Sequence, residues 1–317
     1  MVFDVLTEIG FLFGGLILLF LGGECLVRGS VAIAERFGIS RLAVGLVVIG
    51  FGTSAPELVV SVQAVLSGSP DIAIGNVVGS NIANILLVLG VAALIAPIIN
   101  RDSRIRRDVI VMAVATAALV AALAYGEISR LMGAVMLGAL ALYLALTYVF
   151  ERNRKASADT AKGNDLPISL PLAIGAAVLG PVLLVIGARL MVDGATGIAR
   201  SFGVSEAVIG LTVVAIGTSL PELATAIVAA FRRHADVVIA NVIGSNIFNV
   251  LAVLGITAVI SPIPVAERFA ATDGPIMLGV ALAATVLLFS TKLIGRPLGA
   301  LLLPAYTAYI LIQGSTN

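Results

Sequence analysis

Long apolar stretches alternate with short polar segments along almost the whole chain, and this pattern predicts membrane-spanning helices. A helix of about 20 apolar residues crosses the hydrocarbon core of a bilayer, which is about 30 Å thick. Barrel strands would be shorter and would alternate strictly, which these stretches do not. We therefore expect an all-α membrane protein with ten transmembrane helices. The predicted spans are 5–27, 41–66, 71–96, 107–125, 130–150, 168–191, 206–231, 236–260, 271–290 and 294–313.

Two polar motifs interrupt the apolar stretches, and each occurs twice. The pattern Gly-Thr-Ser-x-Pro-Glu occupies Gly52–Glu57 and returns at Gly217–Glu222. The pattern Asn-Val-x-Gly-Ser-Asn-Ile-x-Asn occupies Asn76–Asn84 and returns at Asn241–Asn249. Both second copies follow the first at the same offset of 165 residues (217 minus 52, 241 minus 76). The chain is therefore expected to contain two related halves.

Each half holds five predicted spans, which decides how the halves are oriented. An odd number of spans places the second half upside-down, the inverted-repeat plan of many secondary transporters. We expect the first repeat at 1–150 and the second at 168–317. The polar segment 151–167 between them is read as a short cytoplasmic linker, too short to fold as a domain.

The distribution of Lys and Arg predicts the orientation in the membrane. Cytoplasmic loops carry an excess of Lys and Arg. With both termini outside, 15 of the 19 basic residues fall at the inner face. These are Arg28, Arg36, Arg41, Arg101, Arg104, Arg106, Arg107, Arg152, Arg154, Lys155, Lys162, Arg232, Arg233, Lys292 and Arg296.

Composition supports a membrane protein and excludes several function classes. The chain is 60% hydrophobic and 12% charged, whereas soluble domains carry about 25% charged residues. Its net charge of +1 and the lack of a basic patch with interleaved aromatics give no reason to expect a nucleic-acid partner. A single cysteine, Cys25, excludes an internal disulfide. No intramembrane His or Lys accompanies a serine, so a serine hydrolase is poorly supported. We expect a protein that is not an enzyme, with no cofactor and no obligate protein partner.

Glu57 and Glu222 are predicted at the middle of the second and seventh spans. A charge at the bilayer centre costs about 2.5–3.5 kcal/mol on insertion scales, so such residues usually face a cavity or a partner. Pro56 and Pro221 have no N–H, and the glycine that begins each copy of the motif tolerates unwound backbone, so each span should break into two half-helices. The carbonyls that a break frees are tolerated at this depth only where they are buried or line a cavity. These features predict an ion or substrate path.

The residues around the two glutamates predict a site with oxygen ligands. The third and eighth spans add residues at i, i+4 spacing on one helix face, and we expect these spans to be broken too, with Asn81 and Asn246 capping or joining their parts. An all-oxygen set suits Ca²⁺ or Na⁺ and disfavours zinc or copper. The candidate ligands are Glu57, Glu222, Thr53, Ser54, Thr218, Ser219, Ser80, Asn84, Ser245 and Asn249.

Some of these polar residues have alternative explanations. Ser54 with Glu57, and Ser219 with Glu222, also fit capping boxes at the start of the second half-helix. That alternative explains the hydroxyls but not a mid-membrane charge that occurs twice. Asn76 and Asn241 could support the ligands rather than bind an ion.

Charged residues outside the two motifs are expected to face water and not to bind an ion. Glu24 and Arg189 occupy equivalent repeat positions near span ends, where long side chains reach for water; a gating ion pair is the alternative explanation. His234, the only histidine, is expected as a solvated loop residue.

With these motifs, the chain resembles the sodium/calcium exchanger family, a prokaryotic-type member of the cation/calcium exchanger superfamily. The resemblance covers essentially the whole chain. It implies an antiporter in a prokaryotic cell membrane that exchanges Na⁺ for Ca²⁺ by alternating access, with the Gly-rich first and sixth spans moving past the core. It also implies that Glu57 and Glu222 are shared Ca²⁺/Na⁺ carboxylates and that Asn84 and Asn249 complete the centre. The implied Na⁺-site oxygens belong to Thr53, Ser54, Thr218, Ser219, Ser80 and Ser245, with backbone carbonyls near Gly50 and Ala215.

One departure from the family pattern and one open alternative bear on the transported ions. Several relatives, including the potassium-dependent branch, have Asp where this chain has Asn249, which argues against K⁺ co-transport. A Ca²⁺/H⁺ antiporter, in which Glu57 and Glu222 would carry protons, is the first alternative function. The second is a membrane enzyme or a non-transporting scaffold, which predicts that Glu57→Gln leaves activity intact.

Overall fold

The computed structural model describes residues 2–99, 104–153, 168–202 and 215–315. Within these ranges the chain is almost entirely helical, with four strands of two residues each. The predicted seventh span lies partly outside the described residues, and so does most of the predicted linker 151–167.

The helices follow the apolar stretches of the sequence closely. The strands are β1 (Ile98–Ile99), β2 (Glu127–Ile128), β3 (Ile263–Pro264) and β4 (Leu293–Ile294). The helices are α1 (Val2–Phe37), α2 (Arg41–Thr53), α3 (Ala55–Leu66), α4 (Pro70–Ile95), α5 (Ile105–Leu123), α6 (Arg130–Asn153), α7 (Leu170–Ser201), α8 (Ala215–Gly217), α9 (Leu220–Phe231), α10 (Ala235–Ile260), α11 (Phe269–Ser290) and α12 (Arg296–Ser315).

Length and apolar composition mark the chain as an integral membrane protein. Six of the described helices could each cross a bilayer, or seven spans result if α2 and α3 are counted as one bent span. The apolar stretch of α10 is 100% buried and that of α4 is 72% buried, against 28% in α1, α6 and α7. The two helices that carry the Asn-Val-x-Gly-Ser-Asn motif therefore form the centre, and the outer helices present apolar side chains to the lipid.

The backbone is irregular at the two Gly-Thr-Ser-x-Pro-Glu motifs. Helices α2 and α3 meet at Ser54 with a bend of 41°, because Pro56 in the first turn of α3 has no N–H to continue the ladder of α2. In the second half, α8 ends at Gly217 and α9 begins at Leu220. Each glutamate thereby lies in the first turn of a new helix.

The prediction that the third and eighth spans are broken is wrong. Helices α4 and α10 each run without a break for 26 residues. Their middle stretches instead widen into π-helix at Asn84–Val88 and Asn249–Leu254. A π-helical turn accommodates the local irregularity without ending the helix, and the only proline in either helix, Pro70, lies at the start of α4, where proline is tolerated.

The first helices of the two halves pack against each other in opposite directions. A Cβ added at Gly15 would lie 2.7 Å from the carbonyl oxygen of Gly187, and one added at Gly22 would lie 2.9 Å from that of Gly180. Further along α1, a Cβ at Gly29 would lie 2.7 Å from the carbonyl oxygen of Ala173. Because the residue numbers rise along α1 as they fall along α7, the two helices are antiparallel. The missing side chains allow the backbones to approach closely.

The two halves also exchange reciprocal contacts at their loops. Strand β1 pairs with β4 and β2 pairs with β3, both antiparallel. Ile98 lies opposite Ile294, whereas Ile263, which follows Ile98 by 165 residues, lies opposite Ile128. Each half therefore contributes the same two loops, and each loop pairs with the other half.

An arginine follows strand β2 and another follows strand β4, and each donates a hydrogen bond to the other half. Arg130 donates to the carbonyl oxygen of Ile260 at 3.4 Å, and Arg296 donates to that of Ile95 at 3.4 Å. Each arginine thus satisfies a carbonyl that the end of a helix in the other half leaves unpaired.

Two predictions about charged residues are wrong. His234 is only 5% exposed, because it lies in the tight turn between α9 and α10 rather than in an open loop. Glu24 does not extend to water: it is ion-paired with Arg232 and Arg28. The sequence could not indicate the first partner, since Glu24 and Arg232 are 208 positions apart.

Candidate ion site

Glu57 and Glu222 are brought to equivalent positions at the centre of the protein. Each lies in the first turn of its helix, α3 or α9, and each is fully buried. The Ser80 hydroxyl lies between their two turns, 3.4 Å from Oε1 of Glu57 and 3.4 Å from the hydroxyl of Ser219, which is three residues before Glu222. A helix N-terminus favours a negative charge, yet two carboxylates this deeply buried also repel each other and need further compensation.

Most of the carboxylate oxygens have no hydrogen-bond partner within the described chain. Ser80 donates to Oε1 of Glu57 at 3.4 Å, but Oε2 of Glu57 and both oxygens of Glu222 are unpartnered. Buried polar atoms in native proteins are nearly always paired. Three unpaired carboxylate oxygens in one region therefore indicate a place where something else supplies positive charge.

The capping-box alternative does not hold. Neither the Ser54 nor the Ser219 side chain caps its helix, and the Ser54 hydroxyl is buried without a partner. Ser219 instead contacts the Ser80 hydroxyl at 3.4 Å. The Ser54 and Ser219 hydroxyls are consequently available to the site, whereas the Thr53 hydroxyl lies 3.0 Å from the backbone carbonyl oxygen of Ile49.

Hydroxyl groups from the two halves meet in two equivalent pairs. The Thr53 and Ser245 hydroxyls lie 3.0 Å apart, and the Ser80 and Thr218 hydroxyls lie 3.5 Å apart. Thr218 and Ser245 follow Thr53 and Ser80 by 165 residues each, so one half supplies the threonine and the other the serine in each pair. The six predicted hydroxyl residues are thus in one region, assembled from both repeats.

Asn76 and Asn241 support the turns that carry the glutamates. The Asn76 amide donates to the backbone carbonyl of Glu57 at 3.1 Å, and the Asn241 amide donates to that of Glu222 at 2.9 Å. Asn241 also accepts a bond from Thr53 at 3.4 Å. The signal in the sequence was their equivalent place in the duplicated motif, which did not distinguish a supporting role from direct binding.

Asn84 and Asn249 lie where α4 and α10 widen into π-helix, a feature frequent at functional sites. Both are fully buried. Neither the oxygen nor the nitrogen of the Asn84 amide has a partner within the described residues, whereas Asn249 donates to Asn81 at 3.1 Å. Asn81 in turn donates to the carbonyl of Asn246 at 3.4 Å. Asn81 and Asn246 therefore join α4 to α10 rather than cap broken helices.

The two predicted backbone ligands are the carbonyls near Gly50 and Ala215. Gly50 is buried, and its carbonyl accepts the Ser54 N–H at 3.2 Å and the Thr53 hydroxyl at 3.5 Å. A Cβ at Gly50 would lie 3.0 Å from the carbonyl carbon of Gly244, so glycine is required there for α2 to approach α10. Ala215 begins α8, in the first described turn before Thr218.

The assembled donors are carboxylate, hydroxyl, amide and carbonyl oxygens. No group of three or more His, Cys, Asp or Glu side chains suited to a metal occurs among the residues that the structure describes. Two carboxylates with neutral oxygens are the kind of ligands that hard cations such as Ca²⁺ accept. The geometry can therefore hold a dehydrated cation between the two halves.

Comparison with known proteins identifies similar chains over nearly the full length. The profile of the family described as "Sodium/calcium exchanger protein" matches residues 7–149 and 172–314. The putative antiporter CaxA of Alkalimonas amylolytica is 38% identical, over 94% of this chain and 96% of its own. The sodium/calcium exchanger MaX1 of Methanosarcina acetivorans is 32% identical, over 94% and 96%. The inner membrane protein YrbG of Escherichia coli is 34% identical, over 93% of each chain.

Solved structures of the sodium-calcium exchanger NCX_Mj share the fold. The structure soaked with 10 mM Na⁺ and 10 mM Sr²⁺ aligns with a TM-score of 0.83 at 33% identity, covering 97% of this chain and 98% of that chain. The structure soaked with zero Na⁺ and Ca²⁺ aligns with a TM-score of 0.84 at 33% identity, covering 97% and 99%. Both halves and their mutual arrangement are thus shared.

Proposed function

The chain belongs to the sodium/calcium exchanger family, and on that basis we propose that it exchanges Na⁺ for Ca²⁺ across a prokaryotic cell membrane by alternating access. As a member of this family it is a membrane antiporter of Ca²⁺ and another cation, and it is not an enzyme. The observation that carries the finer proposal is the set of unpartnered carboxylate oxygens on the fully buried Glu57 and Glu222.

In this proposal Glu57 and Glu222 bind one Ca²⁺ between them. The ion neutralises two buried charges that otherwise repel, and the unpartnered Asn84 amide and the Asn249 oxygen complete its surroundings. Na⁺ ions compete for the same carboxylates. Their further ligands are the hydroxyls of Thr53, Ser54, Thr218, Ser219, Ser80 and Ser245 and the carbonyls near Gly50 and Ala215.

Obligatory exchange follows from this charge balance. An empty site leaves two buried carboxylates uncompensated, which is costly in a low-dielectric interior. A site loaded with Ca²⁺ or with Na⁺ removes that cost. Only loaded forms then pass readily through the state closed to both sides, so one ion leaves as the other enters.

The proposed architecture is ten transmembrane helices in two inverted five-helix repeats, with both termini outside and a short cytoplasmic linker at 151–167. The antiparallel packing of α1 on α7 and the reciprocal pairing of β1 with β4 and β2 with β3 support the inversion. The orientation rests on the distribution of Lys and Arg.

Asn249 bears on which ions are carried. An amide at this position leaves Glu57 and Glu222 as the two formal negative charges of the site. We therefore include no K⁺ in the proposed cycle. The Ca²⁺/H⁺ alternative uses the same two carboxylates as proton carriers, and the burial of both side chains suits it equally.

A flux experiment separates the two functions. Purified protein is reconstituted into sealed vesicles, and uptake of ⁴⁵Ca²⁺ is measured with an outward Na⁺ gradient, an outward proton gradient or neither. We expect uptake with the Na⁺ gradient alone, unchanged by K⁺. Uptake that follows only the proton gradient would overturn Na⁺ coupling and establish the alternative.

Variants of the two glutamates test the site in the same assay. Glu57→Gln and Glu222→Gln keep the side-chain shape and remove one negative charge each. We expect Ca²⁺ uptake to fall more than about 100-fold in each, since even residues that merely support metal ligands are worth about 10- to 100-fold. The exposed Glu35, changed to Gln, is the control and should retain full uptake. Full activity in either site variant would contradict the proposed ligands.

A further inference from the structure

Glu24 of α1 forms a bidentate ion pair with Arg232, the residue that directly follows α9. Nε of Arg232 donates to Oε2 of Glu24 at 2.9 Å, and its Nη2 contacts Oε1. Arg28 adds a contact to Oε1 at 2.9 Å. The Glu24 and Arg232 side chains are only 22% and 21% exposed. A bidentate guanidinium–carboxylate contact is more directional than a surface pair made by a single donor.

This ion pair joins two helices whose apolar contact is incomplete. Gly23 fits closely on α9, because a Cβ there would lie 3.2 Å from the side chain of Val228. Farther along, an apolar crevice of about 140 Å³ separates Leu16 and Phe20 of α1 from Leu223 of α9. The Glu24–Arg232 pair therefore fastens one end of an interface that packing alone leaves partly open.

The position of α9 gives the ion pair a link to ion exchange. Glu222 lies in the first turn of α9 and Arg232 directly follows its last turn. The ion pair consequently holds α1 over α9, the helix that carries one of the two buried carboxylates. In the proposed topology this end of α9 is the cytoplasmic end.

The equivalent positions in the other half hold no such pair. Arg189 corresponds to Glu24 and Ser67 corresponds to Arg232, both at the offset of 165 residues. Arg189 is exposed on α7, and the Ser67 hydroxyl donates to carbonyls of its own helix, Gln63 at 2.8 Å and Ala64 at 3.1 Å. Neither residue can supply the acid of an ion pair.

The helices at that other end are also more separated. Helix α7 packs on Gly50–Thr53 but makes at most marginal contact with Ala55–Leu66. Val59, the counterpart of Ala224, is 48% exposed, whereas Ala224 lies against Gly23 of α1. One end of the site is therefore covered by a first-span helix, and the equivalent end is not.

The turn that carries Arg232 keeps its backbone path despite a change of residue type. Gly68 in the first half has φ +78°, and its counterpart Arg233 has φ +58°. Glycine adopts this left-handed conformation without strain, whereas arginine does so rarely. The backbone conformation alone therefore favours glycine at this position and does not explain the basic residue of the second half.

We propose that Glu24 and Arg232 are positioning residues that latch α1 onto α9 and hold one entrance to the ion site closed, which biases the exchanger toward the state open at the opposite end. The inference rests on the proposed function, and it takes as the moving parts α1 and α7, the Gly-rich helices that the family resemblance implies move past the core. Because only one end has such a latch, the state that is open at the latched end is less populated than the state that is open at the opposite end.

Thiol accessibility tests the latch directly. Cys25, the only cysteine, is first changed to Ala. Single cysteines are then placed at Ala224, beneath α1, and at its repeat counterpart Val59 as a matched reporter. Vesicles in buffer free of Na⁺ and Ca²⁺ are treated from either side with a small charged methanethiosulfonate, and the modification rates are compared.

Glu24→Gln is expected to raise the modification rate at Ala224→Cys about fivefold, the lower end of the couplings typical between sites, and to lower the rate at Val59→Cys. Combining Glu24→Arg with Arg232→Glu should restore the original rates. Glu35→Gln, which breaks a 2.5 Å pair with Arg41 that does not reach α9, should change neither rate. If Glu24→Gln does not fold, Arg232→Lys, which keeps the charge and loses the two-pronged geometry, should shift the rates in the same direction.

The apparent KM for Ca²⁺ is a second measurement. It should not change if the ion pair only stabilises the fold. Opening the latched end increases the fraction of protein able to bind there, so the apparent KM for Ca²⁺ presented at that end should fall about fivefold. Unchanged rates and KM, or equal effects of Glu24→Gln and Glu35→Gln, would overturn the latch. Because the labelling uses no ion gradient, its outcome is independent of whether Na⁺ or protons drive the exchange.

Discussion

At the scale of single residues, the site separates groups that face the proposed ion from groups that hold them in place. Glu57 and Glu222 have unpartnered oxygens, whereas Asn76 and Asn241 use their amides to bind the backbone carbonyls of those same glutamates. Asn241 also reaches Thr53 of the other half. The amides therefore hold the helical turn that carries each carboxylate, a supporting role that residues beside metal ligands commonly have.

Removing either supporting amide should weaken Ca²⁺ binding without unfolding the protein. We expect Asn76→Ala and Asn241→Ala to lower Ca²⁺ affinity about 10- to 100-fold, with the larger effect at Asn241 because it also holds Thr53. Calorimetric titration in detergent measures the affinity. Gln63→Ala, at an exposed position on α3, is the control. Equal affinities for all three variants and the parent chain would contradict the supporting role.

The sequence predicted the site residues well and their partners poorly. The duplicated motifs brought attention to Glu57, Glu222 and the six hydroxyl residues, and the structure brings these together; that they bind ions stays a prediction. Pairings between the halves, such as Thr53 with Ser245, could not be read from the sequence because no local spacing encodes them.

At the scale of helices, close approach depends on glycine where α1 crosses α7. A Cβ at Gly180 would lie 2.8 Å from the backbone nitrogen of Leu26 and 2.9 Å from the carbonyl oxygen of Gly22. Gly175, one and a half turns earlier on the same helix, has nothing within 4 Å of such an atom. Two glycines of one helix thus differ sharply in what a methyl group would meet.

These two glycines provide a matched test of the α1–α7 contact. Gly180→Ala should lower the thermal midpoint in detergent, because overpacking costs about 1–3 kcal/mol. Gly175→Ala should leave it unchanged or raise it slightly, since alanine favours helix over glycine by about 1 kcal/mol. Similar melting curves for both variants would show that the helices separate easily at this crossing.

The helix boundaries show where sequence patterns suffice and where they fail. Apolar length located the spans, since burial in lipid requires it. The expected breaks in α4 and α10 did not occur, because Asn81 and Asn246 bond across to the neighbouring helix and a π-helical turn absorbs the irregularity. Such tertiary contacts override the local tendency of Gly and Asn to end a helix.

At the scale of the whole molecule, the two halves are alike in plan and unequal in detail. The offset of 165 residues recurs in the motifs, in the hydroxyl pairs and from β1 to β3, and it becomes 166 from β2 to β4. The family resemblance is confirmed by the matches over both halves, and with it exchange of Ca²⁺ for another cation; Na⁺ as the coupled ion stays a prediction. The Glu24–Arg232 pair has no counterpart at the equivalent positions of the other half. The sequence comparison related Glu24 to Arg189 and gave no indication that Glu24 pairs with Arg232.

The linker should be dispensable if both halves are present. Residues 1–153 and 168–317, made as separate chains in the same cells, are expected to assemble and to support Ca²⁺ exchange, because α1–α7, β1–β4 and β2–β3 contacts join them. Co-purification through a tag on one half and ⁴⁵Ca²⁺ uptake measure the result. Assembly that requires the intact linker would contradict this expectation.

The reciprocal strands have a consequence for biosynthesis. While the ribosome is still making the first half, the loops containing β1 and β2 have no complement, and the carbonyls at the end of α4 await Arg296. The nascent chain must therefore remain in the membrane, inserted but incomplete, until the last helix is delivered. A cell that stalls translation late in this chain should accumulate an intermediate that quality-control proteases recognise.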